Sequence, residues 1–318
     1  MSKPITLVVC TYNGEKYLPE VIESILNQDG FEENVEELVI VDNASSDNTK
    51  SIIMSYQNSH SNVRYIYEPI PGLSYARKHG AMVNSEWVAY LDDDNIIMQG
   101  WIKEAIKFIT ENPKIGVFNG ASIAIIRHNA SKEENVMLKA IYPYLACTHY
   151  SIEDYNRNVE SGIKTPFGAG MVLRTNPLSK FLHEGWTQNV GRKGKELGSG
   201  EDGEIASAVL DHGYEYGYNY KMVLHHVIPD TRLQKKYVKK LLIGLNIGYY
   251  IYISGKKNYV YYRIKSFLKS LIIIISYPFR LVLCCDPVIK LKLRIEFNSR
   301  IRIIGFILRD IFFLKKSL

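Results

Sequence analysis

Three consecutive carboxylates, Asp92, Asp93 and Asp94, follow the apolar run Trp-Val-Ala-Tyr-Leu at 87–91. β-branched and aromatic content predicts a buried strand over 87–91, with the acids at its C-terminal end. Adjacent carboxylates repel one another and favour protonation or exposure. A divalent cation removes that conflict. Hard oxygen ligands suit Mg2+ or Mn2+, and a Mg2+-type ion keeps waters and phosphate oxygens as its other ligands. Taken alone, the triplet reads better as a solvated acidic turn; other stretches that converge on the same chemistry favour the site. A second acidic group, Glu201, Asp202 and Glu204, opens a predicted helix reaching about residue 210. Carboxylates in a first helical turn are partly explained by the helix dipole. Residues 201 and 204 share one helix face and 202 lies on another, which predicts different roles for them.

Positioning these groups requires an ordered framework, and the N-terminal half supplies its pattern. Strands are predicted at 5–10, 38–41, 63–67 and 87–91, with helices at 17–26, 48–56, 73–83 and 101–110. This alternation predicts a mostly parallel sheet with helices on both faces. Ligands of such sheets bind beyond the carboxyl ends of the strands, where Tyr12, Asp42 and Asp92 to Asp94 all fall. Beyond residue 110 the pattern is mixed, with strands predicted at 115–118, 122–126 and 167–173 and a short helix at 177–182. Residues 185–200, rich in Gly and Lys, predict a mobile loop of the kind that closes over sites. A last strand is predicted over 214–227, ending in His225 and His226.

The 318 residues carry a net charge of +6 that is unevenly spread. Residues 1–230 hold 20 Lys and Arg against 30 Asp and Glu, whereas residues 231–318 hold 19 against 3, a net +16. Two parts with different partners follow: a domain over 1–230 and a helical region over 231–318. The latter contains uncharged runs at 241–255 and 270–279, both shorter than the ~20 residues that cross a bilayer. Apolar stretches laced with Lys and Arg predict helices lying in the interface of an anionic membrane. The alternative is a basic helical subdomain packed on the rest or bound to nucleic acid; the high apolar content disfavours a nucleic-acid partner. The N-terminal apolar run is too short for a signal core. Cys10, Cys147, Cys284 and Cys285 show no metal-ligand spacing, and an adjacent pair makes a poor disulfide, which predicts a reducing cytoplasm.

Five ordered motifs then carry a resemblance: Val-Val-Cys-Thr-Tyr-Asn-Gly, Val-Asp-Asn-Ala-Ser-Ser-Asp, Pro-Gly-Leu-Ser-Tyr-Ala-Arg, Tyr-Leu-Asp-Asp-Asp and Gly-Glu-Asp-Gly-Glu. From about residue 4 to 232 the chain resembles the family 2 glycosyltransferases, inverting enzymes of the α/β GT-A fold, a Rossmann-like mixed sheet flanked by helices. The resemblance implies a nucleoside diphosphate sugar donor, with UDP-sugars as the family-level lean, and Mn2+ or Mg2+. Thr11 and Tyr12 would line the base and ribose pocket and Asp42 would accept a hydrogen bond from the base; its plainer role is a turn-forming aspartate. Arg77 would face the pyrophosphate, which a guanidinium suits, or else be a solvated helix residue.

Asp92 to Asp94 would be the metal motif, one carboxylate facing ribose and another the ion. Strand alternation places Asp92 and Asp94 on one side, and which of them binds metal stays open. His226 resembles a late histidine that serves some relatives as a metal ligand; neighbouring strand residues face opposite ways, so either His225 or His226 serves. Asp202 would be the general base, with Glu201 and Glu204 as competitors. The expectation is a cytoplasmic transferase, peripheral on the inner face of the cell membrane, acting on a lipid-linked glycan, as in bacterial surface polysaccharide assembly. Its rivals are a sugar nucleotidyltransferase, which would want a Gly-rich basic loop after the first strand, and a non-catalytic nucleotide-sugar-binding adaptor.

Overall fold

A computed structural model describes residues 2–147, 167–183, 201–254 and 259–314. The predicted loop at 185–200 and the side chain of Glu201 lie outside the described residues. In chain order the elements are β1 (Ile5–Thr11), α1 (Leu18–Leu26), α2 (Phe31–Asn34), β2 (Val35–Asp42), α3 (Thr49–Ser59), β3 (Val63–Tyr67) and α4 (Leu73–Gly80). They continue through β4 (Trp87–Asp92), β5 (Asn95–Ile97), α5 (Trp101–Glu111), β6 (Ile115–Ile125) and α6 (Lys132–Ile141). The rest are β7 (Met171–Arg174), α7 (Thr175–His183), α8 (Glu201–Leu210), β8 (Glu215–Val227), α9 (Lys235–Ser254), α10 (Tyr259–Leu283) and α11 (Pro287–Leu314).

The strands form one eight-stranded sheet in the order β3-β2-β1-β4-β7-β6-β8-β5. β1 pairs in parallel with both β2 and β4, and β2 with β3. Every residue of β1 is buried, which is why its sequence is mainly apolar on both faces, with Thr6 the one polar residue before Thr11, rather than an alternation. β7 runs antiparallel to β4 and to β6, so the sheet is mixed, as the GT-A pattern requires. One side packs Leu7, Ile22, Trp87 and Trp101; the other packs Val8, Val88, Tyr90 and Ile205.

The described residues divide into two compact units, one within Met1–Arg127, Pro143–Glu196 and Gly200–Ile228, the other within His128–Tyr142, Leu197–Ser199 and Pro229–Leu318. The first holds the whole sheet. In the second, α9 and α11 meet through Asn246, whose side-chain amide donates to Ser299 Oγ at 3.2 Å.

Several expected boundaries move. The two strands predicted at 115–118 and 122–126 are one, β6, whose register with β8 shifts at Gly120. The helix predicted over 73–83 stops at Gly80, where a Cβ would come within 2.3 Å of Val8 Cγ1. Residues 241–254 of the first uncharged run and all of the second, 270–279, are parts of longer helices, because Lys and Arg extend a helix as well as apolar residues do. Arg263–Leu283, 21 residues, is therefore long and apolar enough to cross a bilayer by length and composition.

Candidate active site

β1, β2 and β4 end together because they are parallel neighbours in register: Thr11 pairs with Asp42, and Cys10 with Asp92. Their polar ends therefore lie side by side, as the sequence predicts. Beyond Thr11 the chain turns at Asn13, with φ 55°, and Gly14. A Cβ on Gly14 would come within 2.2 Å of Thr11 Oγ1 and 2.9 Å of Asp93 Oδ2, so only glycine lets these groups close up.

The three aspartates have three different partners. Asp93 Oδ2 accepts from Thr11 Oγ1 at 2.7 Å and from the Tyr12 amide at 3.3 Å. Burial first, then the charges of Asp94 and Asp92, push its carboxyl up to about 7, against the pull of these two donors. Asp92 faces Arg77, with Oδ1 3.9 Å from Nη2. Burial and Asp94 raise its pKa too, while Arg77 and His226 oppose the rise. Asp94 is turned inward: its Oδ1 lies 3.4 Å from His226 Nε2 and accepts from the Asn95 side chain at 3.0 Å. Strand alternation does not govern these directions, because β4 ends at Asp92 and a turn leads from there to β5.

β5 carries the histidine to the acids. Its antiparallel pairing with β8 puts Asn95 opposite His226 and Ile96 opposite His225, so His226 is the histidine beside Asp94. His226 Nδ1 in turn lies 3.8 Å from Cys147 Sγ, whose thiol is 3.4 Å from the Leu145 carbonyl.

Arg77 joins the two acidic groups that lie more than a hundred residues apart. Its side chain is 2% exposed, yet α4 brings its guanidinium to both Asp92 and Asp202. The contact between Arg77 Nη1 and Asp202 Oδ1 is a hydrogen-bonded ion pair. Asp202 Oδ2 accepts from the Gly168 amide at 2.9 Å. On the strand below, Tyr90 donates to the Arg77 carbonyl at 2.9 Å, and its ring lies 5.7 Å from the guanidinium carbon. Expected to face a pyrophosphate from an early helical turn, Arg77 thus bridges carboxylates from inside the protein.

Gly168 was not singled out by the sequence. A Cβ there would come within 2.1 Å of Arg77 Nη2 and 2.6 Å of Asp202 Oδ1. The only local signal is the small-residue run Gly168-Ala169-Gly170. Gly168→Ala should displace the Arg77–Asp202 pair and lower turnover by about 10-fold or more, by the sensitivity of catalysis to ~1 Å misplacement. Steady-state kinetics beside an unchanged far-ultraviolet circular dichroism spectrum checks this.

Asp42 is 1% exposed and engaged on both oxygens, Oδ1 by the Ser45 amide at 2.9 Å and Oδ2 by the Tyr65 hydroxyl at 3.1 Å. It shapes the loop after β2 by accepting from the backbone three residues on. Next to it, Asn43 fastens two loops together: its amide donates to the Ile70 carbonyl at 2.7 Å and its oxygen accepts from the Gly72 amide at 2.6 Å. The Tyr12 side chain is 57% exposed, while its amide donates to Asp93.

Could the acids hold a cation? Among the described residues, no group of three or more His, Cys, Asp or Glu side chains forms a metal cage. Asp94 and His226 offer one oxygen and one nitrogen close together, with Asp92 and Asp93 alongside. The carboxylates of that sparse set fit an Mg2+-like ion, which is held through one or two carboxylates and completes its shell with waters and phosphates.

The profile of Glycosyl transferase family 2 matches residues 6–171, which contain the first four of the five motifs and both ends of the Thr11–Asp93 contact. The chain belongs to glycosyl transferase family 2. Its GT-A fold agrees with that of the mannosyltransferase PcManGT from Pyrobaculum calidifontis, solved with GDP-Man and Mn2+; the likeness has a TM-score of 0.60 at 16% identity over 98% of this chain and 88% of that one. This family 2 chain is 30% identical over 117 residues to the minor teichoic acid biosynthesis protein GgaA of Bacillus subtilis, covering 35% of this chain but only 26% of GgaA. It is 21% identical over 234 residues to the glucosyl-dolichyl phosphate glucuronosyltransferase of Haloferax volcanii, covering 72% of this chain and 71% of that one.

Proposed function

We propose that this family 2 enzyme transfers a sugar, with inversion, from a nucleoside diphosphate sugar to a hydroxyl of a glycan acceptor in cell-surface polysaccharide synthesis. The observation that carries the reading is the Asp92–Arg77–Asp202 connection, which brings the acidic end of β4 and the start of α8 into one site. A nucleotidyltransferase or a mere binder has no need of a carboxylate held at that position. In this reading Asp202 accepts the proton of the attacking hydroxyl. The acceptor oxygen forms the new bond to the anomeric carbon as the nucleoside diphosphate departs from the opposite face, taking the bonding pair with it.

Thr11 and Tyr12 would border the base and ribose, with Asp42 shaping the same rim. Arg77 would offer donors toward the diphosphate. Asp94 and His226, with Asp92 or Asp93 beside them, would hold Mn2+ or Mg2+, which when bound neutralises charge growing on the leaving diphosphate. UDP is the proposed nucleotide. GgaA is named for teichoic acid biosynthesis and the Haloferax relative for a dolichyl phosphate-linked sugar, which supports a lipid-linked or polymeric acceptor. In this reading the enzyme works as a peripheral protein on the inner face of an anionic membrane, which the basic region 231–318 supports.

The metal part has a direct test. Calorimetric titration of UDP with and without Mn2+ should show affinity that depends on the ion, and Asp94→Asn should weaken that dependence by about 10-fold or more. The dependence should also grow between pH 6 and 8, since Asp93, with its carboxyl pushed up to about 7, gains its charge in that window. Equal UDP affinity with and without Mn2+ in the unaltered protein would refute the metal assignment. Tighter binding of GDP or dTDP than UDP would correct the nucleotide alone.

A further inference from the structure

Helix α10 has two faces of opposite character, and one of them is covered by protein. Ser270 and Ser299 are fully buried, Tyr277 stacks on Phe297 of α11 with ring centroids 4.3 Å apart, and Phe267 packs against Ile303 and Ile307. Arg280 Nη1 lies 3.5 Å from Glu296 Oε2. The far side carries Ile264, Leu268, Ile272, Ile275, Phe279, Val282 and Leu283, each between 54% and 83% exposed. At 100° per residue these seven side chains fall within one ~100° arc, about 30 Å long. A continuous apolar stripe of that size is costly in water.

Cations identify what covers it. Lys265, Lys269 and Arg280, all exposed, line one flank of the stripe, and Lys292, Arg294 and Arg302 are exposed on α11. With 19 Lys and Arg against 3 Asp and Glu over residues 231–318, two copies of this region repel one another. Anionic lipid headgroups attract it, while the acyl boundary takes up the apolar side chains. We propose that the Ile264–Leu283 face of α10 lies in the plane of an anionic membrane surface, as an interfacial helix and not as a span. A span would draw Lys269 into the hydrocarbon, although the helix suffices in length and composition. The flank of lysines instead sits at headgroup level when the helix lies flat. The surface rests on the peripheral placement proposed above and gives it a specific contact; it is independent of the transfer chemistry.

The test uses the full chain and vesicles of phosphatidylcholine alone or with 30% phosphatidylglycerol. The unaltered protein should sediment with the anionic vesicles and much less with the neutral ones. Ile272→Asp with Ile275→Asp should weaken that binding at least about 10-fold, and Lys265→Gln with Lys269→Gln about 10-fold or more, at ~1 kcal/mol per cation. Because all four residues are exposed, melting temperature and UDP affinity should stay unchanged. Phe279→Trp should be quenched by brominated acyl chains near the headgroups more than by bromines at the bilayer centre. Three results would overturn the assignment: an unaltered protein that stays in solution, which removes the peripheral placement as well; variants that bind like the unaltered protein, which leaves the placement and removes this face; or a dimer in sedimentation velocity that Ile272→Asp and Ile275→Asp abolish, which gives the face to a second copy.

Discussion

Asp202→Asn should lower kcat by about 100-fold or more while leaving donor affinity within a few-fold, the signature of a lost general base. The amide preserves the shape of the carboxylate, and its oxygen can still accept from the Gly168 amide, 2.9 Å away in the unaltered chain. The charge and the proton-accepting oxygen are lost, and with them the ion pair to Arg77, whose other carboxylate partner, Asp92, stays in place. Donor affinity is read by calorimetry and turnover by release of the nucleoside diphosphate. A variant that turns over near the normal rate would move the base role to Glu201 or Glu204. A variant that loses donor affinity and turnover equally would make Asp202 a binding group.

Arg77→Met should damage both stability and activity, because one buried cation serves two carboxylates. Removing a buried partner strands the charges it balanced, at a cost of 3–5 kcal/mol when all are fully enclosed. Here the side chains of Asp92 and Asp202 are 32% and 29% exposed, so water recovers part of that cost. A loss of about 2 kcal/mol is expected, or about 4–8 °C in Tm. Turnover should fall by about 100-fold or more, since Asp202 loses the ion pair that fixes its position. Arg77→Lys should restore Tm more than turnover, for an ammonium keeps the charge but not the fork that reaches two carboxylates. Differential scanning fluorimetry beside steady-state kinetics separates the two effects. Normal turnover in Arg77→Met would mean that Asp202 needs no help from this helix.

How much of this was legible in the residues follows from the range of the forces involved. The β1–β4 framework was readable because a strand buried on both faces is almost wholly apolar, as 87–91 and, apart from Thr6, 5–10 are. The strand over 115–125 was harder. Asn119 and Gly120 look like a break, yet Asn119 is buried and accepts from the Tyr216 hydroxyl at 2.6 Å. No local rule reveals a partner 97 positions away. The choice between His225 and His226 was open for the same reason, and the pairing of β5 with β8 decides which one meets Asp94. Gly168 marks the limit: its importance lies in what approaches it, the Arg77–Asp202 pair, and nothing in its own segment records that approach.

A free arginine side chain loses about 2 kcal/mol of rotamer entropy when it is fixed in a single arrangement. In this chain Asp92, Asp202 and the Tyr90 ring already fix it, and Tyr90 anchors the backbone that carries it. The ordering cost is thus met during folding rather than on encounter, and an arriving anion meets a guanidinium already set in direction.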